Sequence, residues 1–379
     1  MLAHWIENNK VLHMVENTEI TSQVITFEDL PFCFREKEDP YKIAAMCSVR
    51  IQSVFKENPN LNDKQKPFVY FKKVNGLYGG IAMFFPTLLK AGLETIHSFG
   101  GSTLEVAEEY RHYALGADII TFPIENRLSD VLIYAGISPM ALPLYKKMRF
   151  AVLEYPRAMQ LRNSRCIYET KGVSGSLLFV LSGITNFFLR IYYCFTRIIL
   201  YSAKKKYKVV EEKIIPDWAE TMVMADTHKY AEVHDQGWMQ WNLDQNFSNS
   251  STDHQHFYSI MHKNNPVGFF MTKERFKKEA GGILHNVTVG SIMEWAVSPD
   301  NIIDEKIINL LAMDTFTTEV DIVEFATADK KVIKAMKFLG FIPHGFAHIV
   351  IKDLSKRYSD MQDINNWRVR YAYSDVFLT

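Results

Sequence analysis

Residues 104–150 and 295–341 carry the same succession of apolar and polar segments, and they align with each other without a gap. In both stretches a short apolar run of strand character leads into a helical segment. A buried strand follows at Asp130 or Asp321, and then a helix that ends just before another strand. Strand, helix, strand, helix, strand therefore occurs twice at the same spacing. A repeat of this kind predicts a duplicated α/β unit.

A hairpin-like segment precedes each copy of the repeat. The turn signal of the first hairpin is Asn75-Gly76, and that of the second is the run Asn264 to Pro266. Asparagine followed by glycine between apolar runs is a strong hairpin signal. Each half is therefore predicted to contain an opening helix, an antiparallel hairpin and then the repeated unit.

The length of the chain agrees with this duplication, because 379 residues exceed what one ordinary domain needs. We expect two tandem domains, residues 1–165 and residues 211–379. The residues between them, 166–210, are predicted to form an amphipathic helical linker.

Composition narrows the classes of function. Lysine and arginine total 43, and so do aspartate and glutamate, which argues against a broadly basic nucleic-acid binder. The four cysteines form no CxxC pair, and the 12 histidines show no metal-ligand spacing. Glu7, Lys10 and Glu16 interrupt the apolar core that a signal peptide needs. We therefore expect a cytoplasmic chain with reduced thiols, no metal and no nucleic-acid partner.

The predicted linker contains a long apolar segment. From Leu177 to Ile198 large apolar residues recur at alternating spacings of four and three, which lines one face of a helix. Arg190 and Arg197 interrupt the segment, and a lysine cluster follows it at residues 204–208. The favoured interpretation is a connector whose apolar face packs between the domains. The alternative is a peripheral contact of residues 172–208 with the inner face of a membrane, and a true span is the least favoured interpretation.

The first copy of the repeat holds a turn suited to an anion. A strand run, Leu104 to Val106, leads through Arg111 and a series of small residues into a helix. Backbone N–H groups at a helix start point toward an anion, and small side chains let phosphates approach. This segment resembles the Arg/Gln-x-x-Gly-x-Gly/Ala turn of the GNAT superfamily of acyl-CoA-dependent acetyltransferases. Arg111, Ala114 and Gly116 fall on the three pattern positions, with alanine replacing the first glycine.

The resemblance implies an acyl-CoA site, with acetyl-CoA or another acyl-CoA as co-substrate. The residues that would bind it are Leu104, Val106, Arg111, His112, Tyr113, Ala114, Leu115, Gly116 and Ala117.

A second motif supports the resemblance. The run from Leu144 to Phe150 is similar to the family's Leu-Tyr-x-Lys-x-Gly-Phe helix end, with Arg149 where glycine is usual. The family's tyrosine protonates the departing thiolate, which would make Tyr145 the general acid here. The alternative for Tyr145 is a core aromatic. Glu105 on the strand is a candidate general base, and Glu94 and His97 are the alternatives.

The second half departs from these patterns. It has no glycine at the equivalent turn, and Asp300, Asp304 and Glu305 would repel a pyrophosphate there. We therefore expect no working CoA site in the second half.

Two tryptophans near the start of the second half are candidate substrate contacts. The segment with Trp238 and Trp241 resembles a Trp-rich segment of GNAT-like proteins associated with surface polysaccharide synthesis. Their spacing places both on one helix face, where they could stack on a sugar or fill the core. Core filling is the favoured role. Glu294, on the strand that matches Leu104, is a further substrate candidate.

The predicted fold is α/β (α+β), with two tandem GNAT-like domains whose mixed, mostly antiparallel sheets are flanked by helices. The implied function is an N-acetyltransferase that transfers an acetyl group directly from acetyl-CoA to an amine, such as an amino sugar or surface-glycan precursor. One alternative is a peptidoglycan-type aminoacyl transferase that uses aminoacyl-tRNA. Another is a non-catalytic tandem protein that binds a ligand.

Overall fold

A computed structural model describes residues 18–33, 49–245, 247, 252–280, 284–300 and 302–373 of the chain. The strands are β1 (Ile20–Thr26), β2 (Pro67–Val74), β3 (Leu77–Ala91), β4 (Glu94–Val106), β5 (Val131–Ala135), β6 (Ala151–Leu161), β7 (Lys208–Glu212), β8 (Tyr230–Glu232), β9 (His254–His262), β10 (Asn265–Ala280), β11 (Leu284–Val297), β12 (Ile322–Ala326), β13 (Ile342–Asp353) and β14 (Trp367–Arg368). The α-helices within the described residues are α1 (Val49–Lys56), α2 (Leu115–Glu125), α3 (Leu142–Lys147), α4 (Arg165–Thr170), α5 (Gly175–Tyr192), α6 (Cys194–Lys206), α7 (Asp217–Met224), α8 (Gln236–Asp244), α9 (Glu305–Thr315) and α10 (Lys330–Phe338).

The order of these elements confirms the repeat. β2-β3-β4-α2-β5-α3-β6 in the first half matches β9-β10-β11-α9-β12-α10-β13 in the second. The first hairpin turns at Asn75-Gly76, where both residues have positive φ, as a two-residue hairpin turn of the primed type requires. The second turn lies at Lys263 and Asn264, also at positive φ, one residue earlier than the sequence predicts.

One compact unit is formed by residues 18–33, 49–56, 63–85 and 101–128 of the described chain. β1, β2 and the start of β3 pair antiparallel in it. α2 packs on this sheet through Phe122, whose ring stacks on Tyr70 at 4.0 Å between centroids. Lys72 on β2 also pairs with Asp118 on α2 at 3.1 Å.

The other compact unit contains residues 57–62, 86–100 and the described residues from 129 onward. Its strands follow the order β5-β13-β6-β12-β11-β10-β9-β7. β5 pairs with β13, while β6 lies between β13 and β12. The two halves have therefore exchanged their last strands. β8 pairs with β14 and with the end of β3.

The pairing directions agree with the predicted mixed, mostly antiparallel sheet. β4–β5, β11–β12 and β8–β14 pair in parallel, and the other strand pairs quoted above are antiparallel. The predicted boundaries at residues 165 and 210 stay a prediction. Residues 166–210 contain α5 and α6, together with most of α4.

Gly268 on β10 allows a close approach of neighbouring elements. A Cβ there would lie 2.8 Å from the Ala296 carbonyl oxygen and 2.7 Å from Ile308 Cδ1 on α9.

Replacing Gly268 by alanine should therefore destabilise the protein. The Ala296 backbone cannot move easily, so we expect Gly268→Ala to lower the free energy of unfolding by about 1–3 kcal/mol. Chemical denaturation measures this. Gly183→Ala on α5 is the control, because nothing lies within 4 Å of the added Cβ and alanine favours a helix by up to ~1 kcal/mol. Equal loss of stability in both variants would contradict the packing argument.

Candidate functional site

The connection from β4 to α2 is a tight turn. After Val106 the chain forms a 3-10 helix, Glu108–Tyr113, and Ala114 then adopts φ 57° and ψ 23° before α2 begins at Leu115. The backbone N–H of Ala107 donates to the Gly79 carbonyl at 3.0 Å, which anchors the turn on β3. Ala114 therefore occupies a left-handed conformation that favours glycine.

The left-handed backbone recurs at the other position where the family pattern has glycine. Arg149, which follows α3, has φ 59°. In the second copy of the repeat the matching residue is Gly340, with φ 89°. Ala114 and Arg149 therefore both have the left-handed conformation that favours glycine, although neither is a glycine.

The start of α2 is open to an anion. The first N–H groups of a helix have no partner within it, and together with the helix dipole they favour negative charge. Within the described residues no side chain caps this end. Arg111 and His112 are exposed beside it, and the Arg111 Nε donates to the Val106 carbonyl at 3.3 Å. The turn can therefore hold a phosphate through backbone donors and nearby cations.

The strand residues predicted for the site alternate in exposure. Leu104 and Val106 are half-buried, whereas Glu105 between them is exposed. Thr103, just before them, has φ 53°, an unusual backbone for a β-branched residue. The roles of Glu105 as a base and of Leu104 and Val106 in cofactor binding stay predictions.

Tyr145 lies on α3 in the second compact unit and is only 5% exposed. Its ring packs edge-on against Phe150 at 5.1 Å and lies 5.8 Å from the ring of Tyr134. Burial, followed by the neighbouring Tyr145, raises the pKa of Tyr134 well above its usual value. The Tyr134 hydroxyl has no hydrogen-bond partner among the described residues. This packing is what a core aromatic requires, and the acid role of Tyr145 stays a prediction.

The equivalent helix start in the second half is closed by its own carboxylates. Asp304 caps α9 by accepting from the Ile307 N–H at 2.9 Å. Glu305, the first residue of α9, accepts from the Trp295 Nε1 at 2.7 Å. A pyrophosphate would meet two carboxylates here, and this supports the expectation that the second half holds no CoA.

The chain's C-terminal segment also occupies the second half. Residues 367–373 are buried and run beside β11. The Ala372 N–H donates to the Met293 carbonyl at 3.1 Å, and Arg368 donates to the Trp295 carbonyl at 2.8 Å. β11 pairs with β12 only over Val289 to Ser291. The C-terminal segment therefore bonds to carbonyl groups of β11 that lie beyond this pairing, those of Met293 and Trp295.

Glu294 lies at the centre of a buried charged network. It is fully buried, and its Oε1 accepts from Arg368 at 2.6 Å while its Oε2 accepts from His234. Burial alone would raise the pKa of Glu294, but the charge of Arg368 and the hydrogen bond from His234 lower it to about 2. Glu294 therefore stays ionised across the neutral range.

Both predicted tryptophans lie in the interior. Trp238 is 3% exposed and stacks on the His234 ring at 3.8 Å, so His234 joins it to Glu294. Trp241 is 7% exposed and packs edge-on against Phe247. Sequence reasoning missed His234 and Arg368. The only signal was the alternation of basic and apolar residues in the tail at residues 367–371.

The sequence matches no protein-family profile and no curated protein. Solved structures of similar fold include Saccharomyces cerevisiae N-myristoyltransferase with bound myristoyl-CoA, at 10% identity and a TM-score of 0.51, covering 81% of this chain and 74% of that one. A structure of the same enzyme with myristoyl-CoA and inhibitors has 11% identity and a TM-score of 0.51, covering 90% and 86%. A GCN5-related N-acetyltransferase from Anabaena variabilis has 11% identity and a TM-score of 0.48, covering 82% and 67%.

The likeness to N-myristoyltransferase confirms the predicted fold class. The chain has the mixed α/β fold of these acyltransferases, with helices on a large mixed sheet.

Removing the charge of Glu294 should destabilise the fold. We expect Glu294→Gln to lower the free energy of unfolding at pH 7 by about 3 kcal/mol, because it removes one of the two carboxylates that pair with the buried Arg368 and leaves only Asp226, at 3.2 Å. The folded pKa lies below the unfolded one, so this stabilisation is present above about pH 4.5 and is lost as the pH falls toward 2. Denaturation from pH 7 to pH 2 should therefore show a shallower decline in the variant.

Glu125→Gln is the matched control for this experiment. Glu125 is exposed on α2, and its substitution should leave both the stability and its pH dependence unchanged. A Glu294→Gln protein as stable as wild type at pH 7 would show that the network contributes little.

Proposed function

We propose that this protein is an acyl-CoA-dependent N-acyltransferase whose first half binds the CoA. The observation that carries the proposal is the contrast between two equivalent helices. α2 starts after the left-handed Ala114 without a side-chain cap, whereas Asp304 caps α9. The fold shared with N-myristoyltransferase, whose structures contain myristoyl-CoA, supports the same proposal.

In this proposal the pyrophosphate binds at the turn before α2. The N–H groups of Leu115 and Gly116 donate to it, and Arg111 and His112 balance its charge. Ala114 has only a methyl side chain and Gly116 has none, so the backbone of the turn stays accessible. Leu104 and Val106 on β4 contribute backbone groups to the thioester end, as the family resemblance implies.

The reaction is direct transfer of the acyl group. The amine nitrogen attacks the thioester carbonyl, its C–S bond breaks, and a backbone N–H of β4 stabilises the oxyanion. The amine loses its proton to a base, for which Glu105 is the candidate, and Tyr145 donates a proton to the departing thiolate. The acceptor is proposed to be a small amine, such as an amino sugar or surface-glycan precursor. Trp238, Trp241 and Glu294 would contact the acceptor only if the buried packing around them opened.

A carboxylate at the start of α2 should prevent CoA binding. We expect Gly116→Glu to weaken acetyl-CoA and myristoyl-CoA binding by about 100-fold or more, since like charges at contact distance repel strongly. Isothermal titration calorimetry measures the affinity.

The control is Lys306→Glu, which introduces the same side chain at the second residue of α9 and should leave CoA affinity unchanged. Equal affinity in wild type and Gly116→Glu would remove the turn from the site. Failure of wild type to bind either acyl-CoA would contradict the proposal and favour the aminoacyl-tRNA alternative.

Tyr145 is tested by removing its hydroxyl. If Tyr145 is the general acid, Tyr145→Phe should lower kcat by about 100-fold while the affinity for acyl-CoA stays within twofold. Tyr134→Phe is the control, because the Tyr134 hydroxyl is buried without a hydrogen-bond partner among the described residues. Turnover is measured by release of free CoA with a panel of amines. Equal turnover in the Tyr145 variant and wild type would assign Tyr145 to the core.

A further inference from the structure

α5 and α6 present large apolar side chains to solvent. Leu177, Ile184, Phe188, Ile191, Phe195 and Ile198, here called the apolar stripe, are each 53–74% exposed. They follow the helical spacing seen in the sequence. A connector packed between domains would bury these side chains, and the structure exposes them.

The opposite face of α5 is the one held against the protein, and it is polar. Asn186 accepts from the Ser164 N–H at 2.8 Å and donates to Asn163 at 2.9 Å. Thr185 shares a hydrogen bond of 2.8 Å with Tyr168. A helix on a water-soluble surface normally buries its apolar face. Here the polarity is reversed, and this indicates an apolar environment on the outer side.

The charged residues around the apolar stripe are all basic. Residues 170–210 contain seven lysines and arginines and no aspartate or glutamate, although the whole chain is balanced. Lys204 forms an ion pair with Asp314 at 2.7 Å, while Arg190, Arg197, Lys205 and Lys206 are exposed. A second copy of this chain seated on the stripe would bring these like charges together. An anionic surface complements them.

We propose that α5 and α6 dock the protein on an anionic lipid bilayer, with the apolar stripe among the acyl chains near the headgroups. Arg190, Arg197, Lys205 and Lys206 then contact the headgroups. The inference concerns a surface separate from the CoA turn and does not depend on the proposed reaction.

The helices lie along the membrane surface and do not cross it. α5 has 18 residues and a mean hydropathy of 1.4, which suffices for a span by length and composition. However, its inner face is tied to the protein by Asn186 and Thr185, and Tyr193 after it donates to the Leu161 carbonyl at 3.0 Å. Only one face is therefore free to enter lipid.

Vesicle sedimentation tests the proposal on the full-length protein. Wild type should pellet with vesicles of phosphatidylglycerol and phosphatidylcholine and remain in solution with phosphatidylcholine alone. Phe188→Glu combined with Phe195→Glu should weaken the partition at least tenfold, because both rings enter the bilayer. Lys205→Gln combined with Lys206→Gln should weaken it by roughly 30-fold, from two basic contacts with an anionic surface.

The matched control combines Leu93→Glu with Phe346→Glu. Leu93 and Phe346 are exposed outside the stripe, so this variant carries the same charge change and should bind like wild type. CoA affinity should be the same in all variants, which separates this test from that of the proposed function.

Three results would overturn the inference. The first is equal binding by the stripe and control variants. The second is equal binding to neutral and anionic vesicles. The third is no vesicle binding together with a dimer in light scattering that the Phe188→Glu/Phe195→Glu variant abolishes, which would assign the stripe to a second copy.

Discussion

The antiparallel pairing of β6 with β13 is the interaction on which the second compact unit depends. It runs from Ile342 opposite Met159 to Ile351 opposite Ala151. Each of these strands is the last of its repeat, and each also pairs with a strand of the other repeat. β5, whose five residues are all buried, would be left with an unpaired edge if β13 were removed. Unpaired buried backbone is unfavourable, so the exchange makes the two repeats interdependent.

The two repeats have the same order of strands and helices but differ at the start of the helix that follows the long strand, α2 in the first repeat and α9 in the second. In the first, no described side chain caps the helix start after Ala114. In the second, the Asp304 side chain accepts from the Ile307 N–H, and residues 367–373 pack against β11. Glu294 on β11 and Arg368 in this segment form a buried ion pair. Such a pair stabilises only while both partners are present, so the packing of residues 367–373 against β11 depends on Glu294.

The sequence was sufficient for features that are local along the chain. Apolar periodicity predicted the repeat, and Asn75-Gly76 predicted the first hairpin. Apolar periodicity could not predict the exchange of β6 and β13. The apolar pattern of each strand is compatible with pairing in its own repeat and with pairing in the other repeat. Arg368 was missed for a related reason. A basic residue near the end of a sequence is normally predicted to be exposed, and the sequence does not show that the buried carboxylate of Glu294 pairs with it.

The helical pattern of α5 illustrates the same limit. The spacing of apolar residues identified the apolar stripe, but it did not show which face of α5 packs against the rest of the protein. That side is set by the sheet, because Tyr193 bonds to Leu161, the last residue of β6. Gly340 after α10 makes room for this contact, since a Cβ there would lie 2.3 Å from the Tyr193 ring. The outward direction of the apolar stripe therefore depends on contacts with Leu161 and Gly340, which are distant along the chain and which helical spacing does not contain.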